Sequence, residues 1–445
     1  MPSTDLDRFQ DLRFGIFVTW GIGTVRQDRP KEEEMRTHAI GRAWDRRATR
    51  FDADAWVRAF KQAGARYVIF VPSHELDFSL SRTALTDYRS RRDYTGEVAD
   101  ACARHGLAFG LYVHLATGML GDSNHLLAGD RLAAFGRIRL ARARQQDEYL
   151  DAWLTEQCTQ YRPQFIWLDG WTGIARAIEA AGGSPLEVYD FGRIADTIHR
   201  CDPHILIGNK FYLAPHVDYR VTDHLFWDNS LLGPLDNSVP SECCDVLPGN
   251  RWFPQRTVQE DFLSAEEIEQ QTRLYIQRFV TAVGRGVNYL LNVGPLPDGE
   301  LQRVEVAILQ GIGHWLERYG ESVFATRPLP LAENTWGFAL QGRNAIFLHV
   351  LDTGDIAKAQ GFPLLKENAF LNEIVERFRK RGAPADRHLR VGPLPRRPRH
   401  VRLLAGSGGS RGSAGDLPWC VEGDSIVIDL AGAALDPVDT IIELP

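Results

Sequence analysis

No run of about 18 apolar residues occurs in this chain of 445 residues, which excludes a helix that spans a bilayer. Positive charge is not in excess either. The 51 Lys and Arg residues stand against 58 Asp and Glu, a net charge of −7, which argues against nucleic acid or an anionic membrane as the main partner. Cysteine is scarce and dispersed. Cys102, Cys158, Cys201, Cys243, Cys244 and Cys420 form no C-x-x-C pair and no metal-ligand spacing, and read as reduced thiols in a reducing compartment. No G-x-G-x-x-G follows a candidate strand, so a dinucleotide-binding sheet loses its main support. The opening "MPSTDLDRFQDLRFG" has no basic segment followed by an apolar core. No signal peptide is visible, so the expectation is a cytoplasmic protein, or a periplasmic or secreted one if a leader has been removed. No internal repeat stands out.

What is present is a regular alternation. Hydrophobic residues make up 44% and charged residues 24% of a length that suggests two domains. Strand-like runs occupy 13–20, 65–73, 107–114, 164–170, 204–209, 223–228 and 287–294. Several are almost continuously apolar, as strands covered on both faces are. Amphipathic segments lie between them. "FDADAWVRAFKQAG" sets Trp56, Phe60 and Ala63 at helical spacing, with Asp52 as N-cap and Gly64 as stop. "DYTGEVADACARHG" repeats the logic with Gly106. Seven strands are legible, and an eighth would fall in the weakly patterned 240–260 region. The count favours an α/β fold of the (β/α)8-barrel type over a doubly wound sheet.

Beyond Pro330 the pattern changes. The 335–351 segment reads as a hairpin, and "SIVIDL" and "DTIIELP" read as strands. A catalytic barrel over 1–330 and a smaller C-terminal β-sandwich domain over 331–445 follow, with one helical stretch at 364–381. The basic, proline-interrupted segment 377–400 reads as a solvated loop, and 406–415 as a flexible turn.

A barrel places its chemistry where the strands end. The strand ends carry Thr19 and Trp20, His74 and Glu75, His114, Asp169, Asn209 and Lys210, Asp228 and Asn292. Asp169 closes "FIWLDGW" beside tryptophans. Side chains alternate along a strand, so Trp167 and Asp169 share a face. An indole beside a carboxylate suits a sugar whose anomeric carbon the charged group reaches. A strand-end aspartate that caps the next helix or pairs with an arginine fits the same position. Retaining hydrolysis of a glycoside needs a second carboxyl group about 5–5.5 Å away, and Glu242 and Asp245 lie in a loop-like stretch flanked by Pro240, Pro248 and Gly249. Tyr112 and His114 share a face of the third strand. Trp20 fits a stacking platform or a core position equally, and Asn292 fits a hydrogen bond at the barrel mouth.

Four segments in order resemble the α-L-fucosidases of glycoside hydrolase family 29: "RFGIFVTWGIGTV", "FDADAWVRAFKQAGARYVIF", "GVNYLLNVGPLPDGELQ" and "HWLERYGESVFATRP". The resemblance implies a catalytic barrel, an accessory β-sandwich, a retaining mechanism, a glycoside or oligosaccharide substrate and no metal or other cofactor. It carries the nucleophile onto Asp169 and its aromatic neighbour onto Trp167. "VPSECCDVLPGNRWFP" is similar to the α-1,3/1,4-fucosidase branch, which makes Glu242 the expected general acid/base. Some members use a glutamate after strand five, where this chain has Lys210. The family's His-Trp after strand one is Thr19-Trp20 here, and its His-His after strand two is His74-Glu75. In the family these histidines hold fucose hydroxyls, and together with the other strand-end residues they give Thr19, Trp20, His74, Glu75, Tyr112, His114, Trp167 and Lys210 as the expected substrate site. The departures raise alternatives: an α-L-glycosidase for another L-pyranose, such as an α-L-glucoside or α-L-galactoside, or a carbohydrate-binding homologue with impaired catalysis.

Overall fold

The computed structural model describes residues 4–21, 39–74, 78–115, 131–170, 189–210, 215–223, 239–247, 250–251, 253–254, 263–331, 335–351, 383–404 and 415–445. Among these, eight parallel strands close a barrel: β1 (Phe14–Val18), β2 (Tyr67–Phe70), β3 (Ala108–His114), β4 (Phe165–Asp169), β5 (Leu206–Lys210), β6 (Tyr219–Asp223), β7 (Ser241–Val246) and β8 (Val287–Val293). β8 returns to β1 in a register running from Phe14↔Tyr289 to Val18↔Val293. The expected eighth strand is β7, within 240–260. The strand expected at 223–228 is displaced: β6 shares only Asp223 with it, and 224–228 lie outside the described residues.

The helices are α1 (Asp5–Leu12), α2 (Ala39–Arg47), α3 (Ala53–Gln62), α4 (Tyr94–His105), α5 (Arg131–Tyr161), α6 (Phe191–Cys201), α7 (Ala265–Gly284) and α8 (Arg303–Tyr319). The Asp52 side chain accepts from the Ala55 N–H and caps α3, which buries Trp56 and Phe60. Gly106 ends α4 at φ +71°, a left-handed conformation glycine adopts without strain.

Period-two alternation divides each barrel strand between two cores. Phe17, Ile69, Tyr112, Trp167, Tyr219, Val221, Cys244 and Leu290 fill the interior, while alternate residues such as Ile16, Val68, Leu111 and Ile166 meet the helices. α1 closes one end of the interior. Its Phe9 ring packs 4.4 Å from Tyr219 and 5.3 Å from Phe165, and Asn288 Nδ2 donates to the Phe9 carbonyl at 2.7 Å.

The strands of the C-terminal part are β9 (Arg327–Pro328), β10 (Gly337–Gln341), β11 (Ile346–Val350), β12 (His388–Val391), β13 (Arg402–Leu403), β14 (Trp419–Glu422), β15 (Ser425–Asp429) and β16 (Thr440–Leu444). They form a five-stranded sheet, β9-β10-β11-β16-β13, and a three-stranded one, β12-β15-β14. Both sheets feed one core through Leu348, Leu389, Val391, Ile426, Ile428 and Ile442. The expected hairpin is the antiparallel β10–β11 pair. The basic segment is not all loop: β12 runs through it, with Leu389 and Val391 buried and His388 and Arg390 exposed. The helix expected at 364–381 and most of the 406–415 turn lie outside the described residues.

Candidate active site

Asp169 is the last residue of β4, at the C-terminal mouth of the barrel. Its side chain is 15% exposed and its Oδ2 lies 3.2 Å from Lys210 Nζ, which is 13% exposed at the end of neighbouring β5. The Tyr112 hydroxyl donates to the same Oδ2 at 2.9 Å. His74 stacks on Tyr112 at 5.5 Å and 12°, and the His114 ring lies 5.4 Å from that of His74. Gly170 follows at φ +87°, and a Cβ there would come within 2.5 Å of the His114 ring, so a side chain at this turn would displace the histidine. Burial alone would raise the Asp169 carboxyl. The Lys210 ammonium, then His114, the Gly170 N–H and His74 outweigh it and hold the group at about 2. A partly exposed carboxylate kept ionised at a pocket mouth can act as a nucleophile.

Glu242 stands elsewhere. It is the second residue of β7, not part of a loop, and is 0% exposed. Its Oε2 accepts from the Tyr67 hydroxyl at 2.5 Å and its Oε1 from Trp167 Nε1 at 2.8 Å. Burial raises its carboxyl to about 7, outweighing the two donors. The protonation state suits a general acid, and in this structure both carboxyl oxygens are engaged by barrel side chains. Glu242 is thus enclosed in the barrel interior, where it joins β2 to β4 through Tyr67 and Trp167. Asp245, on the opposite face of β7, pairs with Arg278 at 3.1 Å and accepts from the Tyr289 hydroxyl at 2.9 Å. It belongs to the strand–helix layer.

Two aromatic expectations also change. Trp167 is 1% exposed and its indole N–H is committed to Glu242, so it is part of the interior beneath Asp169 and not a wall for a sugar. Lys210 Nζ lies 5.8 Å from its ring centroid. Trp20 is 1% exposed, faces outward from the barrel, stacks on Phe51 at 5.2 Å and 8°, and donates to the Leu296 carbonyl at 2.8 Å. The core position is the correct reading for Trp20. Thr19 faces inward, but its hydroxyl is bound to Asn292 Oδ1 at 2.5 Å, a seam between β1 and β8. Asn209 is fully buried. Glu75 and Asp228 lie outside the described residues. Of the expected sugar site, the structure thus brings together His74, Tyr112, His114 and Lys210 around Asp169.

Tyr67 went unnoticed in the sequence. A signal existed: Gly15 pairs with Tyr67 across β1 and β2, and a Cβ at Gly15 would lie 2.4 Å from the Tyr67 ring. The same relation joins Gly208 and Tyr219. A glycine inside a strand marks such a close approach. Among the described residues, no cluster of His, Cys, Asp or Glu is placed to hold a metal ion, and no helix is long and apolar enough to cross a membrane.

Residues 3–321 match the family model described as alpha-L-fucosidase. The tissue alpha-L-fucosidase of Mus musculus is 24% identical over 350 residues, covering 72% of this chain and 71% of that protein. The alpha-L-fucosidase of family GH29 from Bacteroides thetaiotaomicron superposes with a TM-score of 0.71 at 18% identity, over 99% of this chain and 94% of that one. A covalent intermediate of a Bacteroides thetaiotaomicron alpha-L-fucosidase, trapped with 2-fluoro-fucosyl fluoride, has a TM-score of 0.69 at 18% identity, over 99% and 95%. At these identities the superpositions show a shared fold.

Proposed function

This chain belongs to the alpha-L-fucosidase family, and from that membership we propose that it is a retaining exo-glycoside hydrolase releasing α-L-fucose, with Asp169 as its nucleophile. The observation that carries the assignment is the state of Asp169: at the barrel mouth, partly exposed, and held ionised by Lys210 and two histidines. Family membership and the trapped intermediate of a protein with this fold support double displacement. The relatives compared above are named for fucose, so the other L-sugars and the non-catalytic reading are set aside.

In the first half-reaction an Asp169 oxygen attacks the anomeric carbon and the aglycone leaves. In the second, water attacks the same carbon and frees the carboxylate, so two inversions give retention. The Tyr112 hydroxyl fixes the rotamer of Asp169 through Oδ2. His74 and His114, at the ends of the neighbouring strand segments, are the proposed partners of the sugar hydroxyls, with Glu75 joining them from the resemblance. We divide the chain into a catalytic unit over 1–330 and an accessory sandwich over 331–445. Preference for α-1,3/1,4 linkages rests on the 239–254 segment alone.

Asp169→Ala should lower turnover of an aryl α-L-fucoside by at least about a thousandfold. The wild type should gain one 2-fluoro-fucosyl group, with loss of fluoride, on treatment with 2-fluoro-fucosyl fluoride, located on the peptide containing Asp169. Unchanged turnover in the variant, or a label on another residue, removes the mechanism.

A further inference from the structure

We propose that Glu242 is a positioning residue for the nucleophile, acting through the indole of Trp167; the proposal rests on the retaining reading given above. Trp167 lies two residues before Asp169 on the same face of β4. In the β3–β4 register Tyr112 stands opposite Trp167, and His114 opposite Asp169. The Tyr112 ring packs on the indole at 5.5 Å and 30°, and its hydroxyl donates to Asp169 Oδ2 at 2.9 Å. Lys210 Nζ lies 3.2 Å from the same oxygen and 5.8 Å from the indole centroid. Tyr112 and Lys210 thus both touch Oδ2, and both lie against one ring.

Glu242 sets the orientation of that ring. Phe17, at 5.3 Å, and Tyr112 limit its tilt by apolar packing. Its one polar atom, Nε1, donates to Glu242 Oε1 at 2.8 Å. A buried N–H that keeps a partner cannot leave it without its full desolvation penalty, so the bond selects one orientation of the indole. Glu242 is clamped in turn. Its Oε2 accepts from the Tyr67 hydroxyl at 2.5 Å, and the Tyr67 ring packs on Phe9 and Phe165. An anchor on β7 is therefore tied to β2 and β4 at once. Burial raises its carboxyl to about 7, so below neutrality it supports the indole without a second negative charge near Asp169. Nucleophilic attack needs this degree of support, because a misplacement of about 1 Å costs about a hundredfold in rate.

Two variants of the anchor separate position from fold. Glu242→Leu removes the acceptor, whereas Glu242→Gln keeps an acceptor for the indole and offers a donor to the Tyr67 oxygen. Labelling by 2-fluoro-fucosyl fluoride reads the placement of Asp169, because fluoride leaves without a protonated carboxyl. Calorimetric binding of L-fucose reads the rest of the pocket. In Glu242→Leu labelling should slow about a hundredfold while the Kd for L-fucose stays within about threefold of wild type. Glu242→Gln should recover labelling to within about tenfold. Labelling at the wild-type rate in Glu242→Leu overturns the role, and with turnover lost only on alkyl fucosides it makes Glu242 the proton donor. Parallel loss of labelling and L-fucose binding, not recovered in Glu242→Gln, also overturns it, since collapse of the fold produces that pattern. If Glu242→Leu does not fold, Trp167→Phe, which keeps a ring and deletes the N–H, decides by the same two readouts. Failure of the wild type to label at Asp169 would instead strike the underlying reading.

Discussion

Tyr67 and Trp167 both spend their only side-chain donor on Glu242, so replacing that residue has two separable consequences. Glu242→Leu removes the acceptor and leaves two buried donors unpaired, each costing about 1–3 kcal/mol. Glu242→Gln keeps the volume and the neutral form. It should retain fucosidase activity within about tenfold, whereas a general acid would lose about 10²–10⁴-fold. The pH dependence follows from the raised carboxyl. Folding favours protonated Glu242, so its contribution is fully present below its ordinary value of 4.5 and declines as pH rises to about 7. The span corresponds to roughly 3 kcal/mol at most. Urea midpoints between pH 4.5 and 7.5 should fall more steeply for wild type than for Glu242→Gln, and parallel curves would contradict the assignment. Asp169 shifts the opposite way, so its contribution is present above 3.8 and lost only as pH falls toward 2, outside that window.

Among the elements, α1 and β7 show how context decides the meaning of a segment. α1 is short and largely polar, yet Phe9 closes the barrel interior against Tyr67, Phe165 and Tyr219. Phe9→Ala should cost about 3–5 kcal/mol, the range for a buried aromatic truncated in a core that cannot collapse, and chemical denaturation measures it. α3 was readable because its signals are local: Asp52, Trp56 and Phe60 lie within one helix. β7 was not. "SECCDV" carries a carboxyl group on each face, where a barrel strand is expected to be apolar on both. The compensating partners of Glu242 are 75 and 175 residues away, and those of Asp245 are 33 and 44. No local window contains them, and polar residues beside prolines read as loop.

Across the whole molecule, one buried pair ties the accessory sheets to the barrel. His349 on β11 has Nδ1 2.6 Å from Asp439 Oδ2 and Nε2 3.2 Å from the carbonyl of Ser322, just past α8. Both side chains are fully buried, and burial raises the Asp439 carboxyl despite the histidine beside it. His349→Ala strands that carboxyl and should cost about 3–5 kcal/mol. A thermal midpoint indistinguishable from wild type would show that the contact is not a staple.

The sequence by itself determined the alternation of strands and helices, most of the barrel strands, the hairpin beyond Pro330, and the position of Asp169 at a strand end. Each follows from periodicity and chain punctuation, which act over a few residues. Only the tertiary structure decided what Asp169, Glu242, Trp167 and Trp20 do. Their roles depend on which distant group fills the space beside each one: an ammonium from the next strand for Asp169, a phenol across the barrel for Glu242, and an aromatic ring on the outer layer for Trp20. Closing the barrel brings those groups together, and in a low-dielectric interior the partner sets whether a carboxyl is charged and whether a ring meets water or protein.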